Sequence, residues 1–199
     1  MSEIKYIEKP DWISWDEIHD CIYKSHEVNR KKGFNMTSQN MTGLQLKEKL
    51  KNGYCFVALK NNKVIGTVSL LFINSKHWWW TRKTVAYTLL DAILPEYRGT
   101  DVFFGLEKIR NKYINDSGVR IRQCNTAEQN KTVIKLCKRA GYKIVQYSAT
   151  AKGATHYSVI MALWEGGCPW PDWLVNFMFR LSKLTIRAIW KPGYRFRWV

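Results

Sequence analysis

The chain has 199 residues, of which 46% are hydrophobic and 14% aromatic, and it carries 32 lysines and arginines against 16 aspartates and glutamates. This composition excludes an intrinsically disordered chain, and the length suits one well-packed domain with an appendage. The formal net charge of +16 either favours an acidic partner (nucleic acid, an anionic membrane surface, a phosphate-bearing cofactor or an acidic carrier protein) or serves only solubility.

The five cysteines include no CxxC pair, so they have the pattern of neither a disulfide framework nor a zinc site. We therefore expect reduced thiols, no bound metal and a cytoplasmic protein. The N-terminal sequence MSEIKYIEKPDW lacks the apolar segment of a signal peptide. No apolar run reaches the ~20 residues that a membrane-spanning helix needs.

The first third of the chain predicts a strand, two helices and a β-hairpin. The elements are a strand at 4–7, a helix with a capping box of Ser14 and Glu17 and an apolar stripe reaching Val28, a helix from Thr42 to Asn52, and strands at 54–60 and 64–73 joined by the turn Asn61-Asn62-Lys63.

The loop between residues 74 and 83 contains the run His77-Trp78-Trp79-Trp80. Three exposed tryptophans would be unusual in a plain surface loop. They could stack on a ring-containing acceptor or lie at a membrane interface. Alternatively, they pack against the C-terminal tail or against one another.

Residues 85–106, VAYTLLDAILPEYRGTDVFFGL, predict a buried strand, a polar turn and the start of a helix. The strand is nearly all apolar and ends at Pro95, and helical spacing of apolar residues begins after Asp101, which we expect to cap the helix. A strand that delivers a short loop into a helix N-terminus gathers free backbone N–H groups at one point. This stretch therefore predicts an anion site suited to a phosphate or pyrophosphate.

The next segment predicts alternating strands and a helix, followed by a linker and one long helix. The elements are a strand at 119–124, a loop at 125–129, a helix at 131–139 ended by Gly141, strands at 142–148 and 155–164, a linker at 165–171 and a helix at 172–190.

The C-terminal helix combines a narrow polar face with a broad apolar arc. Its polar residues are spaced by 4, 3 and 4 positions, at Asn176, Arg180, Lys183 and Arg187. Residues 173–199 contain six lysines and arginines and no acidic residue. This pattern suits an interfacial membrane helix, a helix docked on the domain, or a dimer contact. We expect residues 172–199 to associate with anionic membranes without spanning them.

Two segments resemble the GNAT acyltransferase (N-acetyltransferase) superfamily. The segment Leu94-Pro95-Glu96-Tyr97-Arg98-Gly99 is similar to the family's fourth strand and pyrophosphate loop, with its pattern Arg/Gln-x-x-Gly-x-Gly/Ala. The segment from Asn130 to Tyr142 is similar to the family's Asn…Leu-Tyr-x-Lys-x-Gly-Phe helix end. By strand order the resemblance covers roughly residues 3–163.

The resemblance implies an α+β fold of three layers, with a mixed, mostly antiparallel seven-stranded sheet flanked by helices. An extra amphipathic helix follows at the C-terminus. We expect a GNAT-like acyltransferase domain at 1–164 and a basic, aromatic helix and tail at 165–199.

The same resemblance implies transfer of an acetyl group from acetyl-CoA, as co-substrate, to a primary amine of a small molecule or amino sugar. A backbone amide near Ile93 or Leu94 would polarise the thioester carbonyl. The residues implied to hold acetyl-CoA are Ile93, Leu94, Arg98, Gly99, Thr100, Asp101, Val102 and Asn130.

Two residues of the loop depart from the family pattern, because Asp101 and Phe103 stand where the family has glycines. An acidic side chain would repel phosphate, and a bulky one hinders close approach. Five basic residues could offset the acid: Lys108, Arg110, Lys131, Lys135 and Lys138.

Two carboxylates and one thiol are candidates for proton transfer. Asp91 has the strand parity of Ile93, so both face one side, and a carboxylate there would be costly if buried and unused. Glu96 could serve as a base but is more simply a solvated loop charge. Cys137 occupies the position of the family's catalytic tyrosine and could protonate the CoA thiolate. Because a helical cysteine is commonly a small buried apolar residue, we expect Cys137 to contribute little to turnover.

Three alternatives belong to other classes of function. The chain could be a longer-chain N-acyltransferase that uses acyl carrier protein, a GNAT-like binding module without catalysis, or a peripheral membrane protein whose domain is a scaffold. Nucleic acid is an improbable partner, because the sequence contains neither an RNP-like nor a helix-turn-helix motif. A homodimer is compatible with the sequence.

Overall fold

A computed structural model describes residues 3–31, 33, 37–75, 80–81, 83–149 and 157–189 of the chain. The strands are β1 (Lys5–Glu8), β2 (Gly53–Lys60), β3 (Lys63–Asn74), β4 (Thr84–Ile93), β5 (Ile121–Ala127), β6 (Lys143–Ala149) and β7 (Tyr157–Trp164). The helices are α1 (Trp15–Ser25), α2 (Glu27–Lys31), α3 (Gly43–Lys49), α4 (Val102–Asp116), α5 (Lys131–Arg139) and α6 (Asp172–Ile189). Short 3-10 helices lie at Thr37–Asn40 and Pro95–Tyr97.

The strands form one seven-stranded sheet in the order β1-β2-β3-β4-β5-β7-β6. Neighbouring strands are antiparallel except for β4 and β5, which run parallel. The predicted mixed, mostly antiparallel sheet flanked by helices is therefore confirmed.

Capping side chains start the first two long helices. The Ser14 hydroxyl accepts a hydrogen bond from the Glu17 amide, and the Glu17 carboxylate accepts one from the Ser14 amide. Thr42 and Gln45 form the same reciprocal pair at α3. The prediction that the first helix extends its buried stripe to Val28 is wrong, because α1 ends at Ser25 and Val28 is 45% exposed on α2.

The β2–β3 hairpin closes through Asn61 and Asn62, whose φ angles are +52° and +58°. Asparagine tolerates this left-handed region better than other residues with a Cβ, and two such residues make the turn that fits the twist of paired strands. Lys60 consequently pairs with Lys63, which fixes the register of the hairpin.

Helices cover both faces of the sheet, and the alternation of side chains along each strand separates the two layers. On β2, Cys55, Val57 and Leu59 belong to the core under α1 and α3. The intervening Phe56 and Ala58 belong to the core under α4. Burial on both faces explains why these strands are nearly continuous apolar runs.

The part of the tryptophan loop that the structure describes lies in the core. Trp80 is only 2% exposed and packs edge-to-face on Trp164 at 5.9 Å between ring centroids. In the predicted linker, the Trp170 indole N–H donates to the Trp80 carbonyl over 3.5 Å. Of the two alternatives for this loop, packing against the protein therefore holds for Trp80, and His77, Trp78 and Trp79 lie outside the described residues.

Helix α6 docks on the edge strand β6 through one face. Val175, Phe179 and Ile186 pack into the cores on either side of β6 and β7. The Tyr147 amide of β6 donates to the Ser182 hydroxyl of α6 over 2.9 Å. The predicted last residue of the helix, Trp190, lies outside the described residues. None of the described helices is long and apolar enough to cross a bilayer.

Candidate active site

The central feature of the site is the divergence of the two parallel strands. β4 pairs with β5 at three positions, where 86–88 lie opposite 122–124. Beyond them β4 follows β3 to Ile93, whereas β5 follows β7 to Ala127. The prediction of a loop at 125–129 is therefore wrong in its first three residues, which pair with β7. The two strands leave an opening between 89–93 and 125–127.

A β-bulge lies on the β4 side of this opening. Ser69 of β3 pairs with Leu89, and Thr67 pairs with Ala92, so Leu90 and Asp91 together lie opposite one residue of β3. Leu90 has a φ of +57°, a conformation that is strained for leucine. A bulge interrupts the ladder and re-aims backbone groups. The backbone of 90–91 is consequently free of the regular β3 register next to the opening.

The loop after β4 turns sharply into α4. Pro95–Tyr97 form one 3-10 turn, and Gly99 follows with a φ of +77°, which glycine adopts without strain. The Thr100 hydroxyl donates to the Tyr97 carbonyl over 2.6 Å and accepts from the Val102 amide over 3.4 Å. The first turn of α4 is therefore preceded by a compact loop that Thr100 holds together.

Asp101 lies at the N-cap of α4, but its side chain makes no capping hydrogen bond. The expectation that Asp101 caps the helix is therefore wrong, and Thr100 supplies the cap instead. Asp101 is exposed, so solvent screens part of its charge. The partly buried Phe103 packs edge-to-face on the exposed Phe104 at 6.1 Å.

The side chain of Arg98, which the sequence predicted to help hold acetyl-CoA, makes a hydrogen bond within the protein. Its guanidinium donates to the carbonyl of Ser25 at the end of α1, which ties the loop to that helix. Burial, followed by the charges of Arg98 and Arg30, lowers the pKa of the adjacent His26 to about 4. The Leu94 amide donates to the Ile65 carbonyl over 3.0 Å and is therefore not available to polarise a thioester.

Asp91 forms a partly buried ion-pair network with α4. Both of its carboxylate oxygens accept hydrogen bonds from Arg110, over 2.6 Å and 3.0 Å, and Arg110 also binds Glu107. Burial lowers the pKa of Arg110, but the two carboxylates outweigh it and raise the pKa, so the guanidinium stays charged. Burial raises the pKa of Glu107 in spite of Arg110. Since Arg110 is 3% exposed, it cannot offset a phosphate charge as the sequence suggested.

Two cysteines meet beside the opening. The Sγ atoms of Cys124 on β5 and Cys137 on α5 are 3.9 Å apart, and both side chains are partly buried. The hydrogen bond from Cys124 lowers the pKa of the Cys137 thiol, and the same bond, with burial, raises the pKa of Cys124. Cys137 is thus a polar, hydrogen-bonded thiol and not only a small apolar side chain.

Two phenols adjoin this thiol pair. Burial is the main cause of the raised pKa of Tyr87 and of Tyr142, and the charge of Cys124 adds to both. The structure therefore brings Asp91, the thiol pair and two phenols to the place where β4 and β5 part.

Asn130 serves as a helix cap, because its side-chain oxygen accepts from the Val133 amide over 3.4 Å at the start of α5. Lys131, Lys135 and Lys138 are exposed on α5, as is Lys108 on α4. These four exposed lysines can offset the charge of Asp101, whereas the buried Arg110 cannot.

A cleft of about 560 Å³ lies on the other side of the loop, between α1, the β2–β3 turn and residues 94–97. Its lining includes Asp20 and Glu96 as well as Lys24 and Lys60, so it has no single charge. Because it excludes Asp91 and the thiol pair, we place the chemistry in the opening between β4 and β5.

Sequence reasoning assigned no role to four residues of the cluster, Tyr87, Glu107, Cys124 and Tyr142, and did not identify the ion pairs of Arg110. Apart from the pair of Glu107 and Arg110, which share α4, these contacts join different elements, so only the tertiary fold reveals them. A buried arginine at helical spacing from apolar residues was the one local sign, since an arginine is rarely buried without a carboxylate.

Comparison with solved structures shows what fold this arrangement belongs to. An acetyltransferase from Streptococcus agalactiae 2603 matches with a TM-score of 0.61 and 20% identity, over 81% of this chain and 98% of that one. The ribosomal-protein-S18-alanine N-acetyltransferase from Escherichia coli matches with a TM-score of 0.60 and 12% identity, over 81% and 94%. A GNAT family acetyltransferase from Elizabethkingia anophelis with acetyl-CoA bound matches with a TM-score of 0.55 and 10% identity, over 81% and 98%.

The sequence itself matches no protein-family model and no curated protein. At 10 to 20% identity the structural likeness is one of fold, and it extends over nearly the whole length of each of these three structures. The fold predicted from two short sequence motifs is therefore confirmed.

Proposed function

We propose that this chain, which has the fold of the GNAT acetyltransferases, transfers an acetyl group from acetyl-CoA to a primary amine. The observation that carries the proposal is the opening between β4 and β5, with a bulge on one side and a loop-to-helix turn at its end. A linear thioester cofactor fits such a site because its long arm can lie between the strands while its phosphates meet backbone amides.

The loop from Arg98 to Val102 is the proposed pyrophosphate site. Gly99 permits close backbone approach, and a Cβ there would have open space around it. The Val102 amide is already bonded to Thr100, and the Gly105 amide donates to the Asp101 carbonyl over 2.9 Å. The amides of Phe103 and Phe104 are then the first-turn donors open to an anion.

The reaction needs a donor to the thioester oxygen, an acceptor for the amine proton and a proton for the leaving thiolate. We assign the first task to a backbone amide of the bulge at 90–91, in place of the Leu94 amide, with Ile93 as the neighbouring candidate. We assign the second to Asp91, directly or through water. Arg110 holds this carboxylate in place, and about one third of the Asp91 side chain stays exposed to solvent.

Cys137 is the proposed proton donor to the CoA thiolate. It stands where the GNAT pattern has a tyrosine, and its lowered pKa makes it a better acid than an ordinary thiol. Cys124 acts on it as a positioning residue, because its hydrogen bond is the first cause of that shift. This assignment revises the expectation that Cys137 contributes little.

For the acceptor we propose a small-molecule amine or amino sugar, processed in the cytoplasm, where thiols stay reduced. Two neighbours act on or bind larger substrates: the S18-alanine enzyme, and the NatC complex that was solved with a peptide and CoA. A peptide N-terminus is also a primary amine, so the acceptor panel includes one.

The donor site is tested by binding. Gly99→Glu places a negative charge at the proposed pyrophosphate site, and we expect it to weaken acetyl-CoA binding, measured by calorimetry, by roughly tenfold or more. Gly118→Glu is the matched control, because Gly118 has a φ of +69° and equally open surroundings but lies at the far end of α4. Both substitutions strain a glycine backbone, so only a specific loss of binding supports the assignment.

A wild-type protein that binds no acetyl-CoA up to millimolar concentration would contradict the proposed function. If the two glycine variants bind acetyl-CoA equally well, acetyl-CoA remains the proposed donor, but its phosphates do not lie at Gly99. With binding established, release of free CoA thiol in the presence of each amine identifies the acceptor class.

A further inference from the structure

Helix α6 carries two apolar faces, of which only one docks on the sheet. The inner face contributes Val175, Phe179 and Ile186 to the cores beside β6. The outer stripe consists of Trp173, Phe177, Leu181 and Leu184, at spacings of 4, 4 and 3, which places them on one side of the helix. These side chains are 70%, 56%, 44% and 70% exposed.

The attachment of α6 to the sheet does not require the outer stripe. Soluble domains rarely expose a contiguous row of large apolar side chains without a partner. The helix is already fixed by its inner face and by Ser182, and none of the four stripe residues belongs to the core clusters of the described part of the domain. The row therefore indicates a second surface that this helix serves.

After Asp172, the charged residues of α6 are all basic. Lys183 and Arg187 bind Glu128, whereas Arg180 is exposed beside the outer stripe. The sequence continues with WKPGYRFRWV at 190–199, which adds three basic and four aromatic residues. From 173 to the end, this region contains no acidic residue.

We propose that the outer stripe of α6 binds an anionic lipid surface, with the helix lying parallel to the membrane. An apolar row enters the boundary between headgroups and acyl chains, and flanking arginines and lysines meet the lipid phosphates. A second copy of the chain fits less well, because stacking two stripes would bring together two basic helices of molecules that each carry +16. This surface is independent of the proposed acetyl transfer.

The test uses the full-length chain and vesicles of phosphatidylcholine, with or without phosphatidylglycerol. We expect the protein to sediment with the anionic vesicles at low salt, to bind neutral vesicles weakly, and to be released partly by salt. The variant Phe177→Gln/Leu184→Gln should lose roughly tenfold or more of the partition onto anionic vesicles. Because both side chains are exposed, its melting temperature should stay that of wild type.

A matched control removes an equally exposed apolar residue elsewhere. Leu44 on α3 is 74% exposed, so Leu44→Gln should partition like wild type. The proposal is overturned if wild type does not bind anionic vesicles, or if the double variant binds as well as wild type. It is also overturned if wild type does not bind vesicles but forms a dimer in light scattering, and the double variant is a monomer.

Discussion

At the scale of single residues, the contact between Cys124 and Cys137 changes what the thiol can do. An isolated cysteine on a helix is commonly a small apolar residue, but a second sulfur at 3.9 Å gives this thiol a hydrogen-bond partner. The contact with Cys124 lowers the pKa of Cys137, and a thiol that ionises more easily is a better proton donor to a thiolate.

The rate of the proposed reaction should therefore depend on the protonated form of Cys137. We expect kcat to fall at alkaline pH as this thiol ionises, below the pH at which an ordinary thiol with a pKa of 9.0 would ionise. Cys137→Ala should lose the alkaline limb and roughly a hundredfold in kcat, as general acids typically contribute. The measurement is kcat from pH 6 to 10, a range of about four units around the thiol pKa.

Cys124→Ala is the variant that separates the two roles. It keeps the proton donor but removes its hydrogen bond, so the alkaline limb should move to higher pH with a smaller loss of rate. A Cys137→Ala enzyme with wild-type kcat across this range would show that water, and not the thiol, protonates CoA.

Arg110 provides a second prediction at this scale, because it is a buried charge with two acidic partners. Arg110→Met leaves Asp91 and Glu107 without their cation and should lower the free energy of unfolding by about 3 kcal/mol. Lys112→Met removes an exposed cation from the same helix and should change it by less than about 0.5 kcal/mol. Urea unfolding of the two variants measures both; similar stabilities would mean that solvent already screens the network.

At the scale of elements, α6 is held to the domain by a polar contact as well as an apolar one. Burial alone would raise the pKa of Glu128, but hydrogen bonds from Lys183 and Tyr147, with the charge of Arg187, lower it to about 2. Glu128 lies in the turn between β5 and α5, and its carboxylate pairs with both cations from α6, so it fastens the helix to the end of β5.

Acid should weaken the attachment of α6 through Glu128. Because the folded-state pKa is depressed, the ionised carboxylate stabilises the protein above the ordinary value of 4.5, and the contribution disappears as pH falls from 4.5 towards 2. The melting temperature of Glu128→Gln should be below that of wild type near pH 7 and converge with it near pH 2, over a range of roughly five pH units. Glu165→Gln, which alters an exposed carboxylate, should follow wild type throughout. A constant gap between Glu128→Gln and wild type would contradict the ionic origin of the effect.

The bulge in β4 is the other element-scale feature, and it lies beside the proposed site. Leu90 adopts a positive φ although leucine strongly disfavours it, so the neighbouring structure must impose this conformation. No local pattern predicts it, since VAYTLLDAIL reads as an uninterrupted strand. The sequence could therefore predict the strand and the parity of Asp91 and Ile93, but not which backbone amide is left free.

At the scale of the whole molecule, the strand order and the fold followed from the sequence because each element has a strong local signal. Apolar runs, capping boxes and turn residues set the seven strands and most helix starts within a few residues. The predicted element boundaries that were wrong depend on tertiary pairing. For example, β5 extends over Asn125, Thr126 and Ala127 because these residues pair with β7.

The candidate site was less accessible to sequence reasoning for the same reason. Asp91, Gly99 and Cys137 could be named from their positions along the chain, whereas Arg110 was expected to offset the charge of Asp101. Only the fold shows that Arg110 is buried and paired with Asp91, and that Cys124 contacts Cys137. The boundary between a domain at 1–164 and an appendage at 165–199 stays a prediction, although α6 is packed against β6.

The position of α6 along β6 also limits how two molecules can join. The sheet order leaves β1 and β6 as its two outer strands, and an outer strand normally offers a row of backbone donors and acceptors to another chain. At β6, Ser182 of α6 takes up the Tyr147 amide, so the strand is occupied by its own molecule. Among the described strands, a sheet that runs continuously through two copies could then form only at β1, which is four residues long. A homodimer that continues the sheet would consequently have to pair two β1 strands, and crosslinks between paired β6 strands should not be found.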